Sequence, residues 1–110
     1  MPHQQIANGV AQVYKDVYGR GPQKISATVT PDVVFVVLED VNTPGQNKLV
    51  DLGELRLLDT VHSRLQRAIE GDLIAVIESV LDREVRSYVP GYNGADNTAT
   101  DTFLLNSRDT

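Results

Sequence analysis

Apolar residues recur along this chain with two different periods, and each change of period marks an element boundary. From Gln4 to Tyr18 the residues Ile6, Val10, Val13 and Val17 follow one another at steps of four, three and four. That spacing puts them on one face of a helix, with Ala7, Ala11 and Tyr14 at its margins. Gly19 supplies the C-terminal stop and Pro22 prevents resumption, while Asn8-Gly9 weakens the first turn. From Gln23 to Thr30 the period falls to two: Ile25, Ala27 and Val29 share one face, and Lys24, Ser26 and Thr28 the other. Thr30-Pro31-Asp32 turns the chain, and Val33 to Leu38 returns as an unbroken apolar strand. Both faces of that second strand want cover, and one helical layer covers only one of them.

Thr43-Pro44 reads as an N-cap followed by proline at the first helical position, which predicts a short helix to about Leu52, interrupted at Gly53. From Glu54 to about Leu81 the positions running from Leu55 through His62 and Ile69 to Val80 keep steps of three or four. A straight helix of that length is roughly 40 Å long, whereas a compact domain of this size is roughly 35 Å across. The helix must therefore bend or overhang, and Gly71-Asp72 is the natural place for a bend. Val85 to Val89 predicts a third strand, Pro90 to Asn97 a polar loop, and Asp101 to Asn106 a fourth strand with Phe103 and Leu105 on one face. Ser107 to Thr110 reads as a frayed tail. The order α-β-β-α-α-β-β predicts an α+β fold, a four-stranded antiparallel sheet with helices packed on one face. No repeat or long linker divides the chain, so residues 1–110 are expected to form a single domain with its core at about 4–106.

Composition narrows the function. The formal net charge is −5 and no Lys/Arg cluster offsets the acidic excess, which argues against a nucleic-acid partner. The chain has no cysteine, which excludes disulfides, thiol nucleophiles and Cys-bound metal clusters and is compatible with a cytoplasmic protein. Met1 to Ile6 has neither a basic nor an apolar signal region, and Val33 to Leu38 is far short of the ~20 apolar residues a spanning helix needs. No direct membrane insertion is expected. The doubly apolar second strand and the overlong helix point to a homodimer.

Candidate chemistry is sparse. Arg20 stands between Gly19 and Gly21, ahead of Pro22; at a helix C-terminus a cation serves local stability, and contact with a ligand or partner is the alternative. On the structural reading Gly19 and Gly21 both serve backbone conformation, Gly19→Val is costly and Arg20→Ala costs little. The start of the second helix, from Thr43 to Lys48, is the better electrostatic place for a small anion such as bicarbonate or phosphate. His62 lies in an apolar stripe and reads as a packed, hydrogen-bonded residue; no second histidine or carboxylate pair has metal-ligand spacing. Asp96 and Asp101 flank a turn and are expected to shape it. Gly91-Tyr92-Asn93-Gly94 matches the Gly-x-x-Gly string of KH domains, but it joins strands rather than helices and carries no Lys or Arg. No phosphate loop, nucleophile elbow or catalytic triad motif is present, so no cofactor and no catalysis are expected.

Several blocks in order carry a resemblance: Tyr18-Gly19-Arg20-Gly21-Pro22, then Val37-Leu38-Glu39-Asp40-Val41, then Thr43-Pro44, then Gly71-Asp72-Leu73-Ile74, then Leu81-Asp82-Arg83-Glu84-Val85. From about Val10 to Leu105 the chain resembles the small bacterial MpsC-type family, named for a proposed Na+-translocating, membrane-potential-generating system. Two departures stand out. Gly45-Gln46-Asn47 replaces the family's Ala-Glu-Lys after Thr-Pro, a poorer helix start, and Leu81-Asp82-Arg83 replaces Thr-Gly-Arg. The resemblance brings no catalytic residue with it. It implies a non-catalytic cytoplasmic module that docks onto an assembly linked to Na+ or inorganic-ion transport; a small-anion or metabolite sensor is the alternative.

Overall fold

A proline at the first helical position and a left-handed glycine beyond the last bound α1, Pro2–Tyr18, in the computed structural model, which describes residues 1–107. The tail expected from Ser107 onward therefore lies almost wholly outside the described residues. Gly19 has φ 82° and donates its N–H to the Lys15 carbonyl at 2.9 Å, closing the helix. A Cβ built on Gly19 meets nothing within 4 Å, so only backbone strain opposes a side chain there. Gly19→Val is expected to lose about 1–3 kcal/mol on that account. Urea melts check this, and an unchanged midpoint would remove the conformational role of the glycine. The buried face of α1 carries Ile6, Ala7, Val10 and Tyr14, whereas Val17 is 44% exposed. The apolar stripe is thus rotated from the expected one toward Tyr14, whose hydroxyl has a partner in the sheet.

The strands are β1 (Lys24–Val29), β2 (Val33–Glu39), β3 (Val85–Asn93) and β4 (Thr98–Leu105), in the order β1-β2-β4-β3 with every pairing antiparallel. The last two are longer than their apolar patterns suggest, and the expected loop from Pro90 shrinks to a turn at 94–97. Proline reads as a strand breaker, but β3 is an edge strand, where a missing N–H need not interrupt a ladder.

Between the two hairpins lie α2 (Pro44–Asp51), α3 (Leu55–Ala68) and α4 (Glu70–Leu81). The weak helix start at Gly45 is offset by a reciprocal cap: the Gln46 N–H donates to the Thr43 hydroxyl at 3.2 Å, and the Thr43 N–H to the Gln46 side chain at 2.9 Å. The expected long helix breaks at Ile69, not at Gly71-Asp72. Ile69 has φ −98° and ψ 3° and is 2% exposed, so the place of the break follows the side chain that enters the core. Gly71 is an ordinary helical residue with open space where a Cβ would stand. Gly9 has a sharper role, because a Cβ there would lie 2.6 Å from Val76 Cγ1 and push α1 off α4.

All helices lie on one face of the sheet, as the element order predicts. Val34, Val36 and Leu38 of β2 and Phe103 of β4 point into the core and meet Val10, Leu73 and Ile77 from the helices. The opposite face is open. It carries Val33, Phe35 (40% exposed) and Val37, with Val89 (52% exposed) and Leu104 beside them among Thr98, Thr100 and Thr102. The helical region also overhangs. The molecule measures 51 × 22 × 19 Å, residues 51–57 are all exposed, and α2 buries no residue and packs chiefly on α3.

Candidate functional site

The alternation of β4 turns Asp101 inward together with Phe103 and Leu105, so a carboxyl enters the core. This corrects the expectation that Asp101 shapes a turn; Asp96 does, accepting from the Thr98 hydroxyl at 2.8 Å. Asp101 accepts hydrogen bonds from the Tyr14 hydroxyl at 2.7 Å, from the Tyr88 hydroxyl, and from Gln66 Nε2 at 3.4 Å. Gln66 also donates to the carbonyls of Gly91 at 3.1 Å and Thr100 at 3.3 Å, which anchors α3 to the second hairpin. Burial pushes the Asp101 carboxyl above its ordinary range, and the two phenols and the amide pull it back. Burial first, and the carboxylate second, push both Tyr14 and Tyr88 upward, so each keeps its proton and stays a donor.

A ring stack runs from this cluster toward the overhang. Tyr14 and Tyr18 stack at 5.4 Å, the Tyr18 ring lies 5.2 Å from His62, and His62 stacks on Tyr92 at 3.7 Å. His62 is fully buried, as its place in the stripe predicts, and its Nδ1 shares a hydrogen bond with the Tyr18 hydroxyl at 2.8 Å. Its Nε2 has no partner among the described residues. Burial lowers the imidazole to about 4, against a small upward pull from Asp59. The Tyr92 hydroxyl continues the chain of contacts by donating to Asn42 Oδ1 at 2.7 Å.

Arg20 closes the other end. Its Nη1 donates to the carbonyls of Asp40 at 3.0 Å and Asn42 at 2.7 Å, and its Nη2 meets the Asp40 carboxylate at 3.0 Å. Asp40 in turn accepts from Asn97 Nδ2 at 3.0 Å, and Asn97 accepts from the Asn42 N–H at 2.8 Å. The Gly-Arg-Gly-Pro block and the strand-exit block are therefore in contact, and Arg20 holds them together. Its role exceeds that of an exposed helix-end cation. Arg20→Ala is expected to cost about 1–3 kcal/mol, since hydrogen bonds from a charged donor are the stronger kind. A loss within a few tenths of a kcal/mol in a denaturant melt would return Arg20 to the lesser role. Gly21 follows without positive φ and lies against α1, where a Cβ would stand 3.7 Å from the Ala11 carbonyl. Thr43 caps α2, while Lys48 is exposed in its last turn; the structure places the two candidate anion contacts at opposite ends of the helix.

Chemically, the arrangement fastens a helical layer to a sheet and locks the loop after β2. Its two most perturbed groups outside the tyrosines, His62 and Asp101, have no exposed surface with which to meet a substrate. No set of three metal-ligating side chains converges among the described residues. An open groove of about 550 Å³ lies on the outer side of α3, lined by Asp59, Thr60, Ser63, Arg64 and Arg67. Among the described residues no helix is long and apolar enough to cross a membrane. Compared with known proteins, residues 2–107 match the family described as Na+-translocating membrane potential-generating system (MpsC). No curated protein and no solved structure matches.

Proposed function

The chain belongs to the MpsC family, and from that membership we propose a non-catalytic, cytoplasmic, homodimeric accessory module that docks onto a Na+- or inorganic-ion-transport assembly. The observation that carries this reading is the open face of the sheet. Val33, Phe35, Val37, Val89 and Leu104 form an apolar surface beside a row of threonines, and the ion pair on its margin, Lys24 with Glu39, is internal to the chain. Such a surface suits a protein partner better than a small solute. The grooves along α3 and beside Lys24 and Asp96 suit a sensor poorly, since both are open rather than enclosed polar cavities.

The test is capture from detergent-solubilised membranes of a host that carries such a transport system. Wild-type protein is expected to retain an integral subunit of that assembly, identified by mass spectrometry, and Phe35→Glu is expected to lose it. Equal recovery by both, or recovery of soluble proteins alone, removes the docking function. Stabilisation by bicarbonate or phosphate in a thermal melt, with no subunit recovered, selects the sensor instead.

A further inference from the structure

Asparagine stands before glycine at two places in the chain, Asn8-Gly9 and Asn93-Gly94, and the fold treats them differently. This dipeptide is prone to intramolecular deamidation, because a glycine has no side chain to hinder its own backbone nitrogen or to restrict its torsions. We propose that Asn93-Gly94 is a site of spontaneous deamidation and isoaspartate formation, with water as the co-reactant, and that Asn8-Gly9 is protected from the same reaction.

Both asparagines are exposed, so access to solvent does not separate them. The backbone does. Gly9 lies inside α1, where its N–H belongs to the helical ladder and a Cβ would meet Val76 of α4. Gly94 instead opens the turn at 94–97, and its N–H has no acceptor among the described residues. Asn93 Oδ1 accepts from the Asp96 N–H at 3.2 Å, which draws electron density away from the side-chain carbonyl carbon. The Asn93 amide nitrogen has no partner among the described residues and can leave into water. Packing is the obstacle: a Cβ on Gly94 would stand 3.0 Å from Tyr92 Oη, so this glycine sits under the ring. The turn must therefore loosen before Gly94 N reaches Asn93 Cγ. Its closure is thin, with Asn93 and Thr98 as the end pair of the ladder and a 3.3 Å bond from the Asn97 N–H to the Gly94 carbonyl.

The reaction balances without an oxidant or a cofactor. A base from solvent takes the Gly94 N–H proton, the nitrogen adds to Asn93 Cγ, and the tetrahedral adduct expels ammonia to leave a cyclic imide. Water then opens the ring. Cleavage between the ring nitrogen and Cγ leaves aspartate. Cleavage between that nitrogen and the backbone carbonyl carbon leaves isoaspartate, with the chain routed through Cβ and Cγ. Overall a water is consumed and an ammonia released. Either product places a new negative charge beside Asp96. Isoaspartate also lengthens the backbone where β3 meets Thr98 of β4. The same turn carries Asn97, which donates to Asp40 and accepts from the Asn42 N–H, so the modification loosens the loop after β2.

The site is tested by holding the full chain at neutral pH for weeks and mapping its peptides by mass spectrometry. Isoaspartate is scored by methyl transfer from S-adenosylmethionine with an isoaspartate O-methyltransferase. Asn93 is expected to convert roughly ten times faster than Asn8, because a mid-helix site opens more rarely than a hairpin end. Isoaspartate is expected as the larger product. In urea the two rates are expected to converge, since the shared dipeptide then decides them. Asn93→Gln, whose longer side chain would need a larger ring, is expected to fold as wild type and to accept no methyl group. An unmodified Asn93 in the folded chain overturns the proposal, as does conversion at Asn8 that matches or outruns it. Methyl acceptance that survives Asn93→Gln, or a rate gap that persists in urea, overturns it as well.

Discussion

Asp101→Ala is expected to cost about 2–5 kcal/mol, a large share of the roughly 5–15 kcal/mol available to a domain of this size. The loss comes less from the carboxyl than from what it leaves behind. Tyr14 and Tyr88 would keep their hydroxyls in the interior with no acceptor, at about 1–3 kcal/mol each. Gln66 is less affected, because it retains the carbonyls of Gly91 and Thr100. The same reasoning predicts a rescue. In Asp101→Leu/Tyr14→Phe/Tyr88→Phe the donors leave with the acceptor, and a buried polar cluster exchanged whole for apolar groups is often nearly neutral. Denaturant melts of the two variants should therefore rank against simple counting, with the triple substitution the more stable. If Asp101→Ala melts within about 0.5 kcal/mol of wild type, the carboxyl does not organise this core.

Acidification should remove nearly as much stability through His62. Its imidazole is held near 4 in the folded chain against 6.5 when exposed. Between those values the unfolded chain binds a proton that the folded chain refuses. The contribution of the neutral ring is therefore intact above about pH 6.5, falls as pH drops below it, and is gone below about pH 4. The total is about 3 kcal/mol for a shift of this size. Asp101 works in the opposite sense. Its folded pKa is raised, so its contribution is greatest at low pH and declines as pH rises through the folded value. Comparing wild type with His62→Phe, which can still stack on Tyr92, cancels that opposing term because both chains retain Asp101. The difference in stability between the two should change by about 3 kcal/mol from pH 7 to pH 4. Parallel pH profiles would show that the ring is not sealed from protons.

Much of the fold is legible in the sequence. The strands of both hairpins, the first two helices and the helical stretch from Glu54 to Leu81 follow from apolar spacing, and so does the burial of His62 in a helical stripe. The polar cluster does not, although part of its signal is present. Asp101 shares parity with Phe103 and Leu105, so the strand expected over 101–106 already puts a carboxyl on the buried face, and its extension back to Thr98 takes Asp101 away from the turn. Turn-rich composition from Pro90 to Asn97 concealed that extension, because pairing with β4 overrides local preference. Tyr14 looked marginal because its partner lies 87 residues away. Arg20 read as a lone cation because the carbonyls it holds carry no side-chain signal at all. The break at Ile69 obeyed packing, and packing has no one-residue signature. Both proposed associations are foreshadowed only as a surplus: too many apolar faces on β2, and too much helix for one small domain.

The strand order has a consequence for synthesis. β4 leaves the ribosome after the other three strands of the sheet yet takes an inner place, with Val33 of β2 opposite Leu104. The first hairpin can close early, but the other edge of β2 must wait for some 70 residues of chain. During that interval an unbroken valine-rich strand has unpaired backbone groups and no neighbour, the condition in which nascent chains join one another edge to edge. The intervening α2–α4 segment can form and fold over that strand before β4 arrives. The nascent chain is thus most vulnerable until β4 emerges, and slowing the ribosome over β4 should raise the aggregated fraction more than an equal pause within the helices.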